Sequence, residues 1–178
     1  MPRALTFSNT ESLTWTYTNA QDLSTPEDKK TLPRTPINLT DGTGANKANR
    51  IWHDKRTLAN ATSETIDMFD LAISGGAAGE DHLGQAVQFA KIKFIRIQNL
   101  NTTAGNKLLI GGEGSAAAWN SPFNASDTAK NEIGAGGVWE MGSPVDGFTV
   151  TDVSNHLLKV DNPGSASIDY EIIIVGEQ

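Results

Sequence analysis

His53, His82 and His156 are the side chains in this 178-residue chain best suited to acid–base or metal chemistry near neutral pH. None has another histidine at the spacing of a metal site, and the helical zinc pair with an intervening glutamate is absent. His53 is followed by Asp54, a carboxylate that could orient an imidazole. Neighbours along a strand point to opposite faces, however, so adjacency alone does not make that pair. Each histidine is therefore expected on the surface or in a satisfied structural role, and no metal ligand is assigned.

The other sources of chemistry are equally sparse. There is no cysteine, which excludes disulfides, zinc–thiolate sites and thiol nucleophiles together. The Gly-x-Ser-x-Gly elbow of serine hydrolases does not occur, and Gly114-Ser115-Ala116 lacks its strand–turn–helix setting. The run Ile110-Gly111-Gly112-Glu113-Gly114 follows a strand, as a phosphate loop would. No lysine occupies the phosphate-binding place, no helical pattern succeeds it, and Glu113 would repel phosphate, so it reads as a hairpin corner. Asp67 with Asp70, or Asp146 with Asp152, could be written as an acid–base pair, but in a chain with 21 acidic residues some carboxylates fall close by chance. Asp41-Gly42-Thr43-Gly44-Ala45-Asn46 is rich in oxygen ligands yet lacks the order of a calcium loop and its distant bidentate glutamate, and reads as a turn. No catalytic, cofactor-binding or metal-binding residue is assigned, and the expectation is a protein that is not an enzyme.

With 21 acidic residues against 14 basic ones the formal charge is −7. That balance repels a phosphate backbone, and the densest basic pairs, Lys29-Lys30 and Lys91-Ile92-Lys93, are too small to reverse it; no nucleic-acid partner is expected. No stretch approaches the roughly 20 apolar residues of a membrane span. The apolar run near Met1 is too short for a signal peptide, which leads to the expectation of a protein made and folded in the cytoplasm. Sequons such as Asn38-Leu39-Thr40 and Asn101-Thr102-Thr103 then mark polar turns, not glycans.

Positioning any site falls to β-strands. The 17 glycines and many Thr, Ser and Asn residues separate short alternating runs, and nowhere does a 3.6-residue apolar period persist. Ser12 to Thr18 alternates Leu13, Trp15 and Tyr17 with threonines. Asn19 to Ala48 is a breaker-rich run with Pro26, Pro33 and Pro36, expected to lie along a surface or a neighbouring subunit. Strands are expected at 50–59, 63–69, 85–100, 107–110, 148–152, 156–160 and 166–175, with one more in 131–141 after Gly136-Gly137. In the 85–100 strand the apolar parity changes between Phe94 and Ile95, so either both faces are buried or a bulge sits there. In the last strand Ile168, Tyr170, Ile172 and Ile174 share a face. The expected architecture is all-β, a jelly-roll-like β-sandwich over residues 50–178 with an extended N-terminal arm over residues 1–49.

The aromatic residues offer the remaining binding surface. Trp15 and Trp52 are expected in the core or an interface, and Trp119 and Phe123 are the best loop-borne contact residues. Trp52, Trp119, Phe123 and Trp139 together form the candidate interface, or alternatively a sugar-stacking platform.

Two stretches carry a family likeness. One is Asp41-Gly42-Thr43-Gly44-Ala45-Asn46-Lys47-Ala48-Asn49-Arg50-Ile51-Trp52 with Arg56-Thr57-Leu58-Ala59 and Ser63-Glu64-Thr65-Ile66-Asp67. The other runs from Phe89 to Leu100 and through Gly105-Asn106 to Leu108-Leu109-Ile110-Gly111-Gly112. With the ending Leu158-Lys159-Val160-Asp161-Asn162-Pro163-Gly164 and Asp169 to Gly176, these resemble small auxiliary virion structural proteins of tailed bacteriophages over residues 41–178. The resemblance implies a capsid cement or decoration protein, commonly a homotrimer, that binds the major capsid protein shell and resides in the virion. It carries over no residue-level site. A tail or fibre component and a carbohydrate-binding β-sandwich module are the alternatives.

Overall fold

The computed structural model describes residues 4–18 and 27–178. Fourteen strands are present among them, with one three-residue 3-10 turn at Ser121–Phe123 and no α-helix. Among the described residues no helix is long and apolar enough to cross a membrane.

Eight of the strands form a two-layer sandwich. They are β6 (Arg50–Leu58), β7 (Thr62–Asp67), β8 (Lys91–Asn99), β9 (Leu108–Gly112), β10 (Lys130–Ile133), β11 (Val138–Gly142), β13 (Leu157–Asn162) and β14 (Ile168–Glu177). One sheet has the order β11-β8-β14-β6, and the facing one β10-β9-β13-β7, all pairs antiparallel. The short β12 (Phe148–Thr149) continues the β11 edge by pairing with β8. The chain is thus all-β and arranged as a sandwich. Alternation explains why: Ile168, Tyr170, Ile172 and Ile174 of β14 are all fully buried between the layers, facing Ile66, Ile110, Leu158 and Val160 of the opposing sheet. Each such aliphatic side chain contributes roughly 1.5–3 kcal/mol when fully buried.

The parity change in β8 is resolved in both of the ways the sequence allows. Val175 pairs with Phe94 but Gly176 pairs with Ile92, leaving Lys93 as an extra residue in a bulge. Ile92, Ile95 and Ile97 therefore all face the sandwich core, while Phe94 faces outward into a second apolar cluster. That outer cluster is covered by a third layer, β1 (Phe7–Asn9), β4 (Ile37–Asp41) and β5 (Lys47–Ala48), in the order β1-β4-β5. Ile37, Leu39 and Ala48 seal against Phe94 and Val175, with the Phe7 and Phe94 rings 4.9 Å apart. The bulged Lys93 is fully buried; its Nζ donates to the Val145 carbonyl at 3.1 Å and lies 3.6 Å from Glu177 Oε1.

Several expectations on the arm change. Residues 27–48 are not structureless but contain β3 (Glu27–Pro33), β4 and β5; residues 19–26 lie outside the described residues. Segments 5–9 and 37–48 belong to the sandwich as its outer layer, so the part that stands away is smaller than 1–49. It is the hairpin of β2 (Ser12–Thr18) and β3, a two-stranded sheet of its own. The strand expected at 85–100 begins only at Lys91, and 131–141 holds two strands, β10 and β11.

Candidate functional site

The β2–β3 hairpin is the element that the rest of the fold leaves unused. Every residue of its two strands is exposed except Trp15, which is half-buried. Its register places Leu13 opposite Leu32, Trp15 opposite Lys30 and Tyr17 opposite Asp28 on one face, with Thr14 opposite Thr31 and Thr16 opposite Lys29 on the other. The first face mixes apolar side chains with Lys30 and Asp28 and has no covering layer among the described residues: Leu13 is 64% exposed, Tyr17 72% and Leu32 43%. Local polar contacts stiffen the ribbon, since Trp15 Nε1 donates to Asp28 Oδ2 at 3.2 Å and the Thr14 and Thr31 hydroxyls lie 3.1 Å apart. Glu27, Asp28, Lys29 and Lys30 cancel in charge, so the two strands of the hairpin carry no net charge on an acidic protein.

Its root is anchored. The Arg34 amide donates to the Glu11 carbonyl at 2.9 Å, closing the ribbon, and the Arg34 guanidinium bonds both Glu11 and Glu140. Glu140, on β11, also accepts from Asn9 Nδ2 at 3.0 Å. Arg96 Nε stands 3.9 Å from the Glu140 carboxylate and is the one buried side-chain polar atom among the described residues without a hydrogen-bond partner. Beside this root runs an open groove of about 360 Å³, bordered by Phe7, Glu11, Phe94, Arg96 and Ile173.

The aromatic residues expected at an interface lie elsewhere. Trp119 is fully buried, with Nε1 donating to the Thr149 carbonyl at 3.0 Å, and Phe123 and Trp52 are buried too. Trp139 is half-buried and stacks on Phe123 with ring planes 2° apart. The 115–129 loop folds back over the sandwich, where Ala118 bridges to Leu157, so its rings complete the core and present no sugar platform. Trp15, by contrast, is a surface residue of the hairpin.

The polar candidates separate cleanly. His156 Nδ1 lies 2.7 Å from Asp67 Oδ2, while Asp67 Oδ1 accepts the Phe69 amide and Asp70 Oδ1 accepts the Ala72 amide; both carboxylates shape a turn. Asp41 Oδ1 accepts the Leu5 amide, which ties the segment before β1 to the end of β4. Gly111 and Gly112 are buried in β9, and a Cβ on Gly112 would sit 2.0 Å from the Asp127 carbonyl oxygen. That glycine pair admits a neighbouring backbone and not a phosphate. His53 and Asp54 do point apart, as strand geometry requires, and Asp54 pairs with Arg56 at 2.8 Å.

Two arrangements escape sequence reasoning. Arg56 holds Glu64 with two hydrogen bonds of 2.8 and 2.6 Å, and the Tyr170 hydroxyl donates to the same carboxylate. This cluster joins β6 and β14 of one sheet to β7 of the other. Its contacts raise the Arg56 pKa, chiefly through the Glu64 hydrogen bonds. Burial and the adjacent Glu64 charge raise that of the Tyr170 hydroxyl. The second is a meeting of His53 and His82, 29 positions apart, with His82 Nε2 and His53 Nδ1 separated by 3.0 Å. Among the described residues no group of three or more His, Cys, Asp or Glu side chains converges as a metal cluster. No protein-family model matches the chain, and no curated protein is significantly similar to it.

Proposed function

We propose that this protein is an auxiliary structural component of a tailed-bacteriophage virion, of the cement or decoration type, which binds the major capsid protein shell and stabilises it. The observation that carries the reading is the anchored, uncovered β2–β3 hairpin. A lone two-stranded ribbon is marginally stable in water, and this one holds Leu13, Tyr17 and Leu32 in solvent. Such a ribbon gains its second layer from a partner. The groove at its root extends the docking surface onto the body. The role is one of binding and packing, not catalysis.

The strand order supports a jelly roll as the finer description of the sandwich. Numbered one to eight along the chain, the long strands β6, β7, β8, β9, β10, β11, β13 and β14 run 6-3-8-1 in one sheet and 5-4-7-2 in the other. That interleaving is how two Greek keys share eight strands, and it suits a domain that packs side by side in a shell. A homotrimer belongs to the same proposal, because three hairpins engaging one shell site add their weak contacts by multivalency.

The test is the solution mass of the purified protein by light scattering, followed by co-sedimentation with empty shells of the cognate phage. A trimer that saturates the shells at a fixed ratio is expected; a monomer indifferent to them overturns the reading.

A further inference from the structure

We propose that His53 and His82 form a surface site for a divalent transition-metal ion of the zinc or nickel kind, independent of the virion reading. Imidazole nitrogens suit these ions. Two nitrogens bound side by side to one such ion, each at about 2.0–2.1 Å, lie roughly 3.0–3.4 Å apart. His82 Nε2 and His53 Nδ1 are already 3.0 Å apart. The rings meet edge to face, with planes 72° apart and centroids 3.8 Å apart, and both residues are exposed. A turn of the His82 ring about its side-chain bonds therefore brings both lone pairs onto one ion.

The backbone holds the two donors ready. His53 sits in β6, with its neighbour Ile173 paired across from β14. His82 sits at the tip of a tight turn in which Asp81 Oδ1 accepts the Leu83 and Gln85 amides at 2.8 and 3.0 Å. The Asp81 amide donates to the Gln85 carbonyl, and Glu80 bridges to Ala86. A metal between them would staple this turn to β6 without reordering either element, which lowers the entropic cost of binding. The nearest cation on the same face of β6, Lys55, is drawn toward Asp169 at 3.8 Å, and Glu171 lies opposite Lys55 in the register. With two protein donors the ion keeps water in its other positions, leaving room for a ligand from another molecule.

Zinc chloride and nickel sulfate titrated separately into untagged full-length protein at neutral pH test the site by calorimetry, alongside His53→Gln and His82→Gln. Both residues are exposed, so neither variant threatens the fold. One saturable site per chain is expected, lost in either variant. In a histidine-ring NMR spectrum, zinc should shift the signals of His53 and His82 and leave His156 in place. Absence of saturable binding, undiminished binding in both variants, or a shift confined to His156 overturns the proposal.

Discussion

The sandwich and the hairpin are built from the same kind of backbone ladder and differ in what lies against it. In β14, alternate residues reach full burial because a second sheet stands opposite, and a third layer covers the other face at the Ile173–Val175 end. In β2, the alternation of Leu13, Trp15 and Tyr17 is as regular, yet no sheet among the described residues stands against it. Hydrogen bonds pair strands in both places; only in the sandwich does apolar burial make the pairing stable by itself. On the proposed reading the hairpin is where a partner supplies the missing layer, and the root contacts of Arg34 to Glu11 and Glu140 hold it in place.

That contrast can be tested by substitution, beginning where the effect is greatest. Trp119→Ala removes a fully buried ring from the core and should cost about 3–5 kcal/mol, read from chemical unfolding. Trp15→Ala on the hairpin should change stability by no more than about 0.5 kcal/mol. Equal losses would erase the distinction between the two regions. Glu64→Ala should cost less than the core truncation, roughly 2–4 kcal/mol, because it leaves the Tyr170 hydroxyl without its acceptor and Arg56 with Asp54 alone.

Tyr170→Phe should cost less, about 1–3 kcal/mol, since Glu64 keeps its two bonds from Arg56. It also carries a pH signature. The folded protein raises the Tyr170 pKa, so the unfolded chain gives up that proton first as the solution becomes alkaline. The contribution is complete below the ordinary tyrosine range, about pH 10, and falls as pH rises beyond it. Melting temperature followed through that range should drop more steeply for the native sequence than for Tyr170→Phe. The raised Arg56 pKa lies beyond this window and should add no slope.

The smallest expected effect on the fold is excision of residues 12–33, because the Arg34 amide already bonds the Glu11 carbonyl and a short glycine link can close the gap. The trimmed protein should melt close to the native temperature while losing its hold on empty shells.

Much of the sandwich was legible because its strands obey one rule. The alternation in 166–175 and the parity break in 85–100 are direct readings of burial, and the break marks both the bulge at Lys93 and the outer cluster at Phe94. The hairpin was half legible. β2 has a clear period, but Glu27 to Pro33 has no apolar alternation and is a strand only because β2 pairs with it. Trp119 and Phe123 sit in an alanine- and serine-rich run that reads as an exposed loop, and no local signal says that the loop folds back over the core. The histidine pair and the Arg56–Glu64–Tyr170 cluster depend on contacts between distant segments, which spacing along the chain does not encode.

Hydrogen exchange on the amides of β2 and β3, measured free and bound to empty shells, tests the central claim most directly. Free hairpin amides should exchange far faster than those of β8 and β14, and shell binding should slow them while leaving the sandwich unchanged. Hairpin exchange that is already as slow as the core, or that shells leave untouched, would contradict the account.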